Sequence, residues 1–141
     1  MRFRAQSWRA LLAVLAVVAM FSGLLRAQDA NTLKERARAL AKQGDYAQAI
    51  KAYDAALAAA TRAYGPNDQK IDIVVNELTI AHYSQGNYAE VEPLYLRVLR
   101  NTEARAGRDK GEVATCLNNL GALYDEMGDY SRAEETYLPA V

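Results

Sequence analysis

A chain of 141 residues with 51% apolar and 24% charged side chains is neither disordered nor collagenous, and holds one ordinary domain or a few copies of a small repeat. One cysteine, Cys116, excludes an intrachain disulfide and a cysteine-built zinc site, and one histidine, His82, excludes a His-rich metal centre. The formal charge is zero, but four of the 17 basic residues (Arg2, Arg4, Arg9, Arg26) and none of the 17 acidic ones lie in the first 27 positions, which leaves a body of 13 against 17, net −4, without the basic excess that nucleic acid or an anionic membrane needs.

The N-terminal segment comes first. Met1 to Arg9 carries three arginines and no acid; Ala10 to Phe21 is 12 residues without a charge; Ser22, Gly23, Leu24, Leu25, Arg26 and Ala27 follow. A positive end, a short apolar core and a small residue at the cut form the pattern of a secretory signal, with cleavage expected after Ala27 and a mature chain starting at Gln28. The other reading is a retained anchor. The 16 residues from Ala10 to Leu25 fall short of the roughly 20 that a spanning helix needs. Either way the body is expected in the periplasm or outside the cell, with no membrane contact beyond this segment. In an oxidising compartment Cys116 is better buried than exposed.

The rest of the chain repeats. Gly44-Asp45-Tyr46, Gly86-Asn87-Tyr88 and Gly128-Asp129-Tyr130 are each 42 residues apart. Five residues after each Gly stand Ala49, Val91 and Ala133, and nine after stand Tyr53, Tyr95 and Tyr137. Further on, Ala56-Leu57, Val98-Leu99 and Ala140-Val141 correspond; upstream, Leu33, Val75 and Leu117 align, as do Leu78 and Leu120. Apolar residues before each Gly recur at helical spacing. The Gly ends that helix in a left-handed conformation, and the Asp or Asn caps the next. The second helix is expected from about 47 to 63 and 89 to 106, closed by Gly65-Pro66 and by Gly107. No helix of such a pair buries its stripe alone, so the units must stack, at about 30–71, 72–113 and 114–141, the last incomplete. Pro139 inside its second helix would cost ~3 kcal/mol if the helix continued regularly, and Pro93, nearer a helix start, less.

A helix pair with Gly-Asp-Tyr, Ala, Tyr and Ala-Leu at these offsets resembles the tetratricopeptide repeat. The period of 42 and the run Val113 to Tyr124 are similar to its longer kinesin-light-chain type. The resemblance covers residues 30 to 141 and implies an all-α solenoid of stacked antiparallel helix pairs, about two and a half repeats. The first unit departs most: Arg36 replaces the leucine of Leu78 and Leu120, and Leu40 replaces Tyr124, as suits an outer cap. The resemblance also implies that the first helix of each unit lines a concave face that binds a peptide. Residues 13, 10, 9, 6 and 3 before each Gly fall there: Asn31, Lys34, Glu35, Arg38 and Ala41; Ile73, Asn76, Glu77, Ile80 and Tyr83; Thr115, Asn118, Asn119, Ala122 and Asp125. The candidate contact residues are Lys34, Arg38, Ile73, Asn76, Ile80, Tyr83, Thr115, Asn118 and Asn119. Asn76, Asn118 and Asn119 suit a peptide backbone, since an amide both donates and accepts, and Ile73, Ile80 and Tyr83 suit an apolar side chain. The clamp by which some members hold a chaperone's C-terminal carboxylate matches only at Lys34, and Glu77 opposes an anion.

No phosphate loop, nucleophile elbow or HExxH is present, so no catalytic residue, metal or cofactor is expected. His82 reads as a packed histidine and Cys116 as a small filler. Asn31 to Ala63 carries six basic and three acidic residues, and Glu112 to Val141 one basic and six acidic, which would steer a partner or let copies associate through the incomplete third unit. The expectation is an exported, non-enzymatic scaffold for a protein or peptide. The alternative is the sensing arm of a longer bacterial enzyme, since chains of this layout can continue into a caspase-like protease.

Overall fold

The computed structural model describes residues 3–106 and 110–137. Among these there are six helices: α1 (Phe3–Lys42), α2 (Tyr46–Tyr64), α3 (Gln69–Ser84), α4 (Tyr88–Ala106), α5 (Lys110–Glu126) and α6 (Tyr130–Tyr137). No strand occurs among the described residues. The expected pairing holds: each helix packs chiefly against its neighbours in the chain, so the all-α stack of antiparallel pairs is the architecture. Gly107 and residues 139–141, Pro139 included, lie outside the described residues.

The three reversals share one geometry. Gly44, Gly86 and Gly128 have φ of 80, 73 and 74°, which L side chains rarely adopt. At each, the residue after the glycine donates five back (Asp45 N to Leu40 O 3.1 Å, Asn87 N to His82 O 3.0 Å, Asp129 N to Tyr124 O 2.8 Å). The glycine itself donates three back, as Gly44 N does to Ala41 O at 3.0 Å. Those two bonds are a Schellman ending, which satisfies carbonyls that a stopped helix would orphan. The next helix then starts at once. Asp45 Oδ1 accepts from Gln48 N at 3.1 Å and Asp129 Oδ1 from Arg132 N at 3.2 Å. Asn87 differs: its side-chain nitrogen donates to Gln85 Oε1 at 3.1 Å, and Glu90 N goes to the Asn87 carbonyl at 3.0 Å.

Packing runs as a chain of linked clusters. Ala37, Ala49, Tyr53, Ala56, Val74, Leu78 and Ala81 join α1, α2 and α3. Alongside, Ala30, Ala59, Ala60, Ile71, Val75 and Val98 carry the contact into α4, and Val91, Leu120, Leu123, Tyr124 and Ala133 carry it to α6. Alanine serves two ends in α2: it favours helix, and it lets α1 approach closely, with Ala37, Ala49 and Ala56 all at 0% exposure. Arg36, in the leucine column, is exposed, while Leu78 and Leu120 are buried. α4 runs through Pro93 at its sixth residue, near its start. The start of α3 is tied to the end of α4 by a half-buried polar knot. Asp72 pairs with Arg105 at 2.6 Å, and Asn101 donates to Asp72 Oδ1 at 3.3 Å.

α1 is one unbroken helix from the apolar segment into the first repeat. Its large apolar side chains from Leu11 to Leu25 are all more than half exposed. By length and composition it includes a stretch apolar enough to cross a membrane. At Ala30, 4% exposed, burial begins.

In the small-residue column Ala37, Thr79, Gly121, Ala37 shares a cluster with Tyr53 and Gly121 lies against Tyr137. A Cβ on Gly121 would lie 2.4 Å from Tyr137 Cε1, so the third unit holds its tyrosine against bare backbone. Thr79 fits because its hydroxyl is turned onto Val75 O at 2.7 Å. Gly121→Ala should therefore destabilise by about 1–3 kcal/mol through overpacking, read as a lower thermal midpoint and a weakened tyrosine signal in near-ultraviolet circular dichroism. An unchanged midpoint would show that Tyr137 moves aside freely.

Candidate functional site

The first helices of the three units, α1, α3 and α5, bring part of their candidate residues into two pockets. One, of about 250 Å³, lies between α1, α2 and α3 and is lined by Asn31, Lys34, Tyr64, Lys70 and Ile73 among others. The other, of about 270 Å³, lies between α3, α4 and α5 and is lined by Ile80, Tyr83, Tyr95, Asn119, Ala122, Leu123 and Glu126. Five of the nine candidate contact residues, Lys34, Ile73, Ile80, Tyr83 and Asn119, thus come together in two groups, joined by Asn31 and Ala122. Ile73 and Ile80 sit seven residues apart on α3, about 10 Å along its axis. Both are large apolar side chains left open, 47% and 63% exposed, and Tyr83 is 39% exposed.

The first pocket is basic. Lys70 Nζ stands 4.2 Å from the Tyr64 ring centroid, and Lys34 is half-buried at the rim. The second pocket is aromatic with an acidic edge. Tyr83 meets Tyr88 edge to face at 5.1 Å. The Tyr83 hydroxyl is pushed above the usual tyrosine pKa by desolvation first and by the Glu126 carboxylate second. Desolvation likewise raises Tyr95.

Arg38 is placed differently from a free contact residue. Its Nε donates to both Glu77 oxygens at 2.9 and 3.0 Å, its Nη1 pairs with Glu35 at 2.7 Å, and its Nη2 also reaches Glu77. The α1–α3 step is therefore bridged by the chain's own ions. Tyr53, beneath them, is pushed up to about 12 by burial first and then by Glu77. Thr115 turns its hydroxyl onto Gly111 O at 3.0 Å. Asn76 and Asn118 are exposed and line neither pocket. Asp125 faces α6, accepting from Tyr137 Oη at 3.0 Å, and the neighbouring Glu126 takes the pocket edge instead. The clue to Glu126 was available: 119, 122 and 126 share one helical face by the three- and four-residue rule.

Two further residues have structural surroundings. His82 is half-buried, its backbone carbonyl accepting the Schellman bond. Cys116 is partly buried against the second cluster, with Sγ 3.6 Å from Thr102 Oγ1. Among the described residues no cluster of three or more His, Cys, Asp or Glu is placed to hold a metal.

A family model described as tetratricopeptide repeat matches residues 28–104 and 72–140. Two solved structures have the same fold. BtubC (BKLC) from P. vanneervenii is 23% identical with a TM-score of 0.68, over 79% of this chain and 44% of that one. The TPR domain of Arabidopsis FLU is 19% identical with a TM-score of 0.66, over 82% of this chain and 93% of that one. This chain thus spans under half the length of the first. No curated protein matches the sequence.

The Arg38–Glu77 bridge predicts a modest coupling. A double-mutant cycle with Arg38→Ala and Glu77→Ala should give about 0.5–1 kcal/mol at low salt, less at high salt, because the pair is only part-buried; zero coupling would make it ornamental. Tyr53 gives a pH test. Its folded pKa lies above the unfolded value of 10.0, so its contribution is complete below pH 10 and is lost as pH rises through about 12. Absorbance titration at 295 nm should show a late tyrosine that Tyr53→Phe removes.

Proposed function

Because the chain belongs to the tetratricopeptide repeat family, whose repeats are protein-interaction modules, we propose that it is an exported, non-enzymatic scaffold that holds an extended peptide segment of a partner along α1, α3 and α5. The observation that carries this is the pair of pockets on α3. Both are walled by residues from more than one unit, and each leaves an isoleucine open to solvent. The separation of Ile73 and Ile80 equals about three residues of extended chain at ~3.3 Å each. An extended peptide lying along this side of α3 can therefore reach both pockets with different side chains while its backbone passes the amides of Asn76, Asn118 and Asn119. The pockets differ in charge, Lys34 and Lys70 in one and Glu126 in the other, which gives a bound peptide a direction.

Export is part of the same proposal. The family match begins at residue 28, the position after the expected cut, and the first buried side chain of the repeat body is Ala30. Removal of residues 1–27 would take away exposed apolar surface and none of the core.

Peptides selected on the wild-type chain should bind Tyr83→Ala and Asn119→Ala variants about ten-fold more weakly each, and hydrogen exchange on binding should slow in α1, α3 and α5. Equal affinity for both variants, or protection confined to α2 and α4, would place the interface elsewhere. N-terminal sequencing of the exported protein should begin at Gln28; a chain still carrying residues 1–27 would instead be anchored by them.

A further inference from the structure

The repeat register supplies a comparison inside the molecule. Positions 38 and 80 form one column, 77 and 119 a second, and 53 and 95 a third. At the first step Arg38 crosses from α1 to Glu77 on α3, beside the Tyr53 ring. One unit later the same positions hold Ile80, Asn119 and Tyr95. Ile80 has no charge to extend and Asn119 none to receive it. All three of these positions line the 270 Å³ pocket.

That pocket keeps the surroundings of a cation. Glu126 stands exposed at its edge, beside Tyr83, and the rings of Tyr83 and Tyr95 form its walls. Among the described residues no lysine or arginine lines it. Elsewhere the chain supplies its own: Arg132 lies 4.4 Å from the Tyr124 ring, where Glu92 accepts from both the Tyr124 hydroxyl and Arg132 at 2.9 Å. Lys70 does the same over Tyr64. A purely apolar ligand group would cover Glu126 without pairing it, which is costly. A long basic side chain answers both halves of the pocket, apolar along its stem and charged at its tip.

We infer that this pocket receives an arginine or lysine side chain of the bound partner, its stem on Ile80 and Leu123 and its charged head between the Tyr83 and Tyr95 rings and Glu126. The assignment rests on the groove proposed above and specifies its partner as a peptide with a basic side chain at this point. The bound residue takes the place that Arg38 takes one unit earlier.

The test is a positional-scanning library of acetylated, amidated octapeptides, one position fixed and the rest randomised, passed over the immobilised full chain in mild detergent. Pools fixed as Arg or Lys at one position should be retained at least ten-fold more than pools fixed as Ala. The preference should vanish in Glu126→Gln. It should vanish also in the double variant Ile80→Arg, Asn119→Glu, which rebuilds the first-unit pair inside the pocket. Both variants replace exposed side chains, and their thermal melting checks that they fold. Peptides retained without basic preference, or a preference that survives Glu126→Gln, would overturn this assignment and leave the groove standing. A folded wild-type chain that retains no pool would overturn both.

Discussion

At Gly44, Gly86 and Gly128 one helix must end and another begin within three residues, and the rest of the structure follows from that reversal. A left-handed glycine lets the backbone turn while two amides return to the carbonyls of the finished helix. Because the turn is the same each time, the two helices of every unit emerge at the same relation. Equivalent side chains then meet equivalent neighbours: Ala37 with Tyr53 and Gly121 with Tyr137, and leucine at 78 and 120 in the core. A turn of different length in one unit would rotate its second helix and break the register with the next.

The stack leaves its first helices with one side uncovered, and the character of that side changes from unit to unit. Between α1 and α3 it is bridged by the Arg38, Glu35 and Glu77 ions beside a lysine-lined pocket. Between α3 and α5 it is open, aromatic and acid-edged. The backbone repeats, but the chemistry does not, because exposed positions are free to differ wherever the core does not need them. A repeat protein acquires a ligand preference in this way without altering its fold. The net −4 of the body after residue 27 says little about this; the placing of one carboxylate beside two tyrosines says more.

α1 joins two environments in one rod. From Leu11 to Leu25 its large apolar side chains are more than half exposed, and at Ala30 burial begins. The change occurs without a break in the helix, across the residues where the secretory pattern places its cut. Ala59, Ala60, Ile71 and Val75 pack around Ala30, so the folded body draws on α1 only from there onward.

The residues alone determined the period, the hairpin and the tyrosine columns. Each is written in short-range pattern: a glycine at a fixed interval, a cap beside it, apolar residues at helical spacing. The helix bounds expected at 47–63 and 89–106 differ from Tyr46–Tyr64 and Tyr88–Ala106 by one residue at most ends. What the tertiary structure alone decided was which exposed side chains are already occupied. Offsets from the glycine place Arg38 and Asp125 on the inner face, yet Arg38 finds Glu77, 39 residues away, and Asp125 finds Tyr137. Nor do offsets reveal that Glu126 shares a pocket with Ile80 and Tyr83. Local pattern fixes the direction in which a side chain leaves its helix. Whether a partner waits there depends on residues a whole repeat distant, and only the stacked helices bring them within reach.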